Sequence, residues 1–187
     1  MIYTQTAIVA GIEVAKEVGS LDRISAIEIA TTRRGFQRTG SEPEKWTPST
    51  RETADHSLPY IMARAMFDGD ITNQSFEPAK FRDPAALAFM QKIKVAEDPA
   101  LTARTGGAVP TRVTAILSDG RRVSREVDHA PGFAERPMSR AEVERKFRGN
   151  IGQRWSKDQT DDVLKALWAL DRTESVPALL GKLSLRG

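Results

Sequence analysis

The stretch Thr111–Asp128, TRVTAILSDGRRVSREVD, decides the fold class. Two alternating segments, Thr111–Leu117 and Arg122–Asp128, flank Ser118-Asp119-Gly120-Arg121. Asp-Gly between alternating flanks predicts an antiparallel hairpin, because the tight turn needs a residue that tolerates positive φ. Working outward, Arg23–Thr32 reads as a further strand with Ile27, Ile29 and Thr31 on one face. Lys92 to Val95 enters a short strand. Helical patterns surround these strands. Thr6–Val18 carries Ile8, Val9, Ile12, Ala15 and Val18 at near-helical spacing and is stopped by Gly19-Ser20. A second helix, capped by Thr53 or Asp55, runs through Leu58, Ile61, Met62, Ala65 and Met66 and ends at Asp68-Gly69-Asp70. Pro59 falls in its first turn, where proline is tolerated. Asp83-Pro84 opens a third, with Leu87, Met90 and Ile93. Gly35–Arg51, broken by Gly40, Pro43 and Pro48, reads as a long polar loop. The expectation is an α+β domain over residues 1–133, with an antiparallel sheet packed on helices.

Beyond it, Ala130–Pro137 reads as a linker. Ser139-Arg140-Ala141-Glu142 is a capping box opening a helix with Val143 and Phe147. Another helix carries Val163, Leu164, Leu167, Trp168 and Leu170, and a short last one follows Val176-Pro177. Residues 134–187 are therefore a helical tail, expected to be too short for its own core and to dock on a partner surface.

Composition narrows the function classes. The chain has 187 residues, 40% hydrophobic and 28% charged, as ordinary globular domains do. No run approaches the roughly 18 apolar residues of a membrane helix, and no secretory signal is visible. The expectation is a cytoplasmic chain without a membrane partner. With no cysteine, disulfides, thiolate metal sites and cysteine nucleophiles are excluded. Two histidines, His56 and His129, cannot make a three-histidine zinc site. The net charge of +3 is mild. Arg121–Arg154 holds eight arginines and one lysine against five acids, with Phe133 and Phe147 as its aromatics and no aromatic interleaving of the kind that stacks on bases. That pattern reads as a solvated face with pairs such as Glu142–Lys146, not as a nucleic-acid surface.

The densest chemistry lies in Arg51-Glu52-Thr53-Ala54-Asp55-His56-Ser57-Leu58-Pro59-Tyr60. A helix beginning near Asp55 places His56 and Tyr60 four apart on one face. Arg51 is suited to clamp a carboxylate with two hydrogen bonds. The structural alternative has Asp55 capping, His56 bonded to a backbone carbonyl and Tyr60 packed in the core. At the N-terminus, Tyr3-Thr4-Gln5-Thr6 opens the first helix, with Thr4 as its cap and Gln5 as a solvated first-turn residue. His129, in a loop before Pro131-Gly132, reads as bonded to backbone.

These segments together resemble the MmgE/PrpD family. The resemblance runs through Tyr3–Ile8, the strand at Ile24–Thr32, Lys45-Trp46, Arg51–Tyr60, Asp68–Thr72, Phe81–Pro84, Asp119-Gly120-Arg121 and Val143–Phe147. The family includes 2-methylcitrate dehydratase, cis-aconitate decarboxylase and iminodisuccinate epimerase, which act on small polycarboxylates without an iron–sulfur cluster. Its fold pairs a helical domain with a smaller α+β lid, after which the last helices return to the helical domain. The resemblance implies a 2-methylcitrate dehydratase-like lyase needing no cofactor and no metal. It implies Tyr60 and His56 as catalytic residues, and Gln5 and Arg51 as substrate-binding ones. In the decarboxylase branch a histidine stands where Gln5 stands here, and Tyr60 matches a tyrosine lining the active site. The sequence starts where the family's second domain starts. The lyase is thus expected to be incomplete without a helical domain, which a partner chain would supply, and to self-associate. The alternative is a non-catalytic lid fragment that binds or dimerises; a nucleic-acid-binding protein is a weaker third.

Overall fold

The computed structural model describes residues 1–104, 106, 108–152 and 154–183. The chain divides into two compact units, Met1–Pro137 and Met138–Gly187.

The first unit is α+β. Its sheet contains β1 (Ile24–Thr31), β2 (Ile93–Glu97), β3 (Thr111–Leu117) and β4 (Arg122–Val127) in the order β2-β1-β3-β4. β1 pairs antiparallel with β3, and β3 with β4. β2 pairs parallel with β1, so the sheet is mixed where the sequence suggested antiparallel pairing throughout. The reason lies in the connection. Several helices separate β1 from β2, and a crossover of that length lets a strand return in the same direction.

The hairpin forms as the Asp-Gly signal predicts. Gly120 donates its N–H to the Leu117 carbonyl at 2.9 Å and has φ of 83°. Asp119 Oδ1 accepts from the Arg121 N–H at 2.9 Å. This is the three-residue loop in which a left-handed residue closes the turn, and glycine adopts that conformation without a Cβ clash. The period of two directs Val113, Ala115, Leu117 and Val123 into the core.

Helix α1 (Gln5–Val18) buries Ala7, Ala10, Val14 and Val18 and packs against β3, β4 and the helix Leu58–Asp68. Gly19, at φ of 78°, ends it. The Gly35–Arg51 segment is more ordered than a loop. It contains α2 (Arg33–Thr39) and a short turn of helix at Pro43–Trp46. Thr32 caps α2 by accepting the Gly35 N–H. Two further helices follow, α3 (Arg51–Asp55) and α4 (Leu58–Asp68). α4 is buried along most of its length and packs on α1. At the contact, a Cβ on Gly11 would overlap the Met62 thioether, so the missing side chain sets the approach of the two helices. The layer is completed by α5 (Pro78–Phe81), α6 (Pro84–Met90) and α7 (Pro99–Thr102).

The second unit is helical: α8 (Arg140–Ile151), α9 (Lys157–Trp168) and α10 (Val176–Lys182). The Ser139/Glu142 capping box opens α8 as expected. α9 packs on α10. Trp168 links α9 to α8, donating its Nε1–H to Glu144 at 2.9 Å beneath the Arg140 guanidinium. Val163 and Leu164 are buried, whereas Trp168 and Leu170 are exposed, so the predicted apolar face is only partly uncovered. Among the described residues, no helix is long and apolar enough to cross a membrane.

Candidate active site

The segment from Arg51 to Tyr60 forms two helices, not one. Thr50 caps α3 and exchanges hydrogen bonds with Thr53, while Ser57 caps α4 by accepting the Tyr60 N–H at 3.1 Å. Asp55 caps nothing. Pro59 supplies the reason: it has no N–H to return to the Asp55 carbonyl, so a helix continuing from α3 would lose that bond. The break falls at His56 and Ser57, and Ser57 Oγ donates to the Lys45 carbonyl. His56 and Tyr60 therefore do not share one helical face, contrary to the four-residue spacing.

Tyr60 is fully buried, in contact with the Phe76 ring, and its hydroxyl donates to the Ser75 carbonyl. Burial pushes its pKa up to about 12; Arg64 opposes the shift, and Asp68 and Asp83 reinforce it. A phenol in that state holds its proton and acts as a hydrogen-bond donor.

His56 ends α3 with a half-exposed side chain. Its Nδ1 lies 3.0 Å from the Glu52 carbonyl oxygen and against Asp55 Oδ1. Arg51, the first residue of α3, is exposed and donates from Nη2 to Asn73 Oδ1 at 3.3 Å. The remaining guanidinium N–H groups leave donors for a carboxylate. Gln5 is exposed at the first turn of α1. The next residue anchors that turn: Thr6 Oγ1 donates to the Val109 carbonyl at 2.6 Å and meets Thr111 Oγ1 at 3.0 Å. Thr4 bonds Met1 and does not cap α1 by its side chain. Arg51 and His56 thus occupy one short helix, Tyr60 the core behind it, and Gln5 a separate helix start. Among the described residues, no hydrogen bond joins Gln5 to the other three.

His129 faces the Glu135 carboxylate at 3.6 Å and the Phe133 ring, in place of the expected backbone partner. In the basic stretch, Arg122 pairs with Glu28, Arg125 with Glu17, and Arg140 with Glu144.

Sequence reasoning missed the ionic cluster beneath Tyr60. Arg64 is buried in α4 and binds Asp68 through two hydrogen bonds, and Asp83 at 3.0 Å. Burial alone would lower the guanidinium pKa; its hydrogen bonds and charge interaction with Asp68, and the bond to Asp83, leave it raised. Half of this was open to detection, since Arg64 and Asp68 stand four apart on a helix. Asp83 carried no such signal.

The family model described as the MmgE/PrpD C-terminal domain matches residues 1–170. Cis-aconitate decarboxylase of Mus musculus is 24% identical over 132 residues, which cover 71% of this chain and 27% of that protein. The Homo sapiens enzyme of the same name is 25% identical over 132 residues, with the same coverage. 2-Methylcitrate dehydratase of Cupriavidus necator is 27% identical over 185 residues, covering 94% of this chain and 38% of the relative. The chain thus matches between about a quarter and two fifths of the length of these relatives.

Proposed function

This chain belongs to the MmgE/PrpD family as its C-terminal domain, and from that premise we propose that it supplies the lid side of a 2-methylcitrate dehydratase-like lyase acting on small polycarboxylates. The observation that carries the proposal is the family match across residues 1–170, which takes in Gln5, Arg51, His56 and Tyr60. The dehydratase relative aligns over nearly the whole chain and the decarboxylases over about seven tenths of it.

Removing water from a 2-hydroxy polycarboxylate needs a base for a carbon-bound proton, an acid for the departing hydroxyl, and donors for the carboxylates. In the proposed assignment, Arg51 binds one carboxylate and Gln5 orients another carboxylate or the hydroxyl. An amide has no basic site, so Gln5 is not the base. His56 exchanges a proton with substrate. Tyr60 keeps its proton well below its pKa of about 12, and donates to substrate only if its bond to the Ser75 carbonyl is released. A helical domain, on the same polypeptide or another, forms the opposite wall and carries the remaining acid/base groups. A second reading, a lid without catalytic function of its own, is favoured by the commitment of the Tyr60 hydroxyl to Ser75 in the core.

The two readings separate in a dehydratase assay with 2-methylcitrate. The chain is measured alone and with a family helical domain added. Turnover that appears only on mixing, and falls in Arg51→Ala and His56→Gln, supports the lyase. Unchanged silence on mixing with a helical domain shown to bind the chain favours the non-catalytic lid.

A further inference from the structure

We propose that Asp55 is a positioning residue for His56, holding the imidazole in the tautomer that carries hydrogen on Nδ1 and leaves Nε2 as the outward proton acceptor. The inference deepens the lyase reading and rests on it only for the statement that His56 meets substrate. Three observations carry the geometry. First, both groups beside Nδ1 are acceptors: the Glu52 carbonyl oxygen at 3.0 Å and Asp55 Oδ1. Neither can donate when Asp55 is ionised, so Nδ1 must carry the hydrogen for either contact to be favourable. Second, Asp55 Oδ1 is shielded from solvent and makes no hydrogen bond among the described residues, although it lies against His56 Nδ1. A shielded carboxylate oxygen is costly unless a cation or donor faces it, and the His56 imidazole is the group that lies against it. Third, Asp55 has no competing task, because Thr50 and Ser57 cap the helices on either side.

The arrangement follows from the chain break. α3 ends at Asp55 and His56 leaves the helix, so adjacent side chains that a continuous helix would splay are free to converge. The Glu52 carbonyl and the Asp55 carboxylate then both lie against one ring nitrogen. The other nitrogen, Nε2, has no partner among the described residues and belongs to a half-exposed side chain. A histidine whose far nitrogen carries the hydrogen presents its near nitrogen as an acceptor in a defined direction. In dehydration, Nε2 would accept a substrate proton while Asp55 stabilises the resulting imidazolium, and no proton passes to Asp55.

The test reads the tautomer directly, by ¹H–¹⁵N correlation of the imidazole nitrogens in the 187-residue chain. Only His56 and His129 contribute, and His129→Ala assigns the spectrum. At a pH where the ring is neutral, the wild type is expected to show His56 with a protonated Nδ1 and an unprotonated Nε2. In Asp55→Asn the amide can turn its NH₂ toward Nδ1, and the Nε2-protonated form is expected to become the major species. Asp55→Ala is expected to mix the two tautomers, and Asp55→Glu to restore part of the wild-type pattern. Backbone spectra establish that each variant is folded. If Asp55→Asn and Asp55→Ala keep the wild-type nitrogen pattern, the Glu52 carbonyl alone sets the tautomer and the proposal is overturned. The same holds if wild-type Nε2 carries the hydrogen. This readout needs no turnover, so it stands apart from the assay of the lyase reading, in which His56→Gln decides whether the ring meets substrate.

Discussion

Arg64 and Asp83 meet at 3.0 Å inside the first unit, and through that contact the middle of α4 is tied to the start of α6. One carboxylate does two things. Asp83 Oδ2 accepts from the Arg64 guanidinium while Oδ1 accepts the Ala85 N–H and caps α6. The Phe67 and Phe89 rings, 4.9 Å apart, close the same junction. The guanidinium also lies 5.7 Å from the Phe67 ring centre. Arg64→Met would leave two carboxylates facing an apolar stub. Removing one partner of a buried ion pair typically costs about 3–5 kcal/mol, and the partial exposure of both acids places this variant toward about 3 kcal/mol. Urea unfolding, with the slope held equal, measures it. An unchanged midpoint would mean that the cluster is solvated.

Tyr60 ties stability to alkaline pH. Its pKa is about 12 in the folded chain against 10.0 for the free phenol. A raised folded pKa leaves the contribution intact below pH 10 and removes it as pH rises through 12. The full effect is on the order of 2–3 kcal/mol at 1.36 kcal/mol per unit. The wild type is expected to lose stability relative to Tyr60→Phe between those limits. At neutral pH the order reverses, because the phenylalanine leaves the Ser75 carbonyl without its donor, at about 1–3 kcal/mol. Parallel curves for the two proteins across pH 10–12 would show the phenol ionising without resistance.

Gly40 packs directly on Val95. A Cβ there would stand 2.6 Å from Val95 Cγ1 and 2.9 Å from Val95 Cβ. Val95 is a β-branched residue in β2, with little freedom to turn aside. Gly40→Ala is therefore expected to destabilise by about 1–3 kcal/mol, the usual cost of overpacking. Gly106→Ala, with open space around it, serves as the control in thermal melts. Equal shifts for both would show that Val95 yields easily.

Catalysis, on the proposed reading, requires the second wall. The chain alone is not expected to turn over 2-methylcitrate at an enzymatic rate. Losing substrate positioning forfeits roughly 7–11 kcal/mol of barrier lowering, and a missing general base removes a further factor of about 10²–10⁴. With a helical domain present, Tyr60→Phe is expected to lower kcat more than His129→Ala does. Robust turnover by the chain alone, insensitive to changes at Gln5, His56 and Tyr60, would place the site elsewhere.

The helical unit bears Trp168, Leu170, Val176 and Leu180, each between 41% and 58% exposed. Large apolar side chains in water favour association. The chain is expected to self-associate at micromolar concentration in sedimentation velocity, and Leu170→Glu with Leu180→Glu to shift it toward monomer. A monomeric wild type at those concentrations would count against a partner surface here.

The hairpin, the strand at β1, the helix α1 and the Ser139 capping box were legible in the sequence because each depends on neighbours a few residues apart. Asp119-Gly120 needs only its own turn, and Ser139 with Glu142 only one helical turn. The candidate site was half legible. Residue types suited to polycarboxylates stood in one segment, and the segment's order with others carried the family resemblance. Its geometry was not, because Pro59 and Ser57 divide that segment into two helices and turn Tyr60 inward while His56 stays at the surface. The parallel pairing of β2, the Arg64–Asp83 contact and the closure of Asp55 on His56 were decided by tertiary structure alone. Each depends on where a distant segment or a helix break places a side chain, and local spacing does not encode that position.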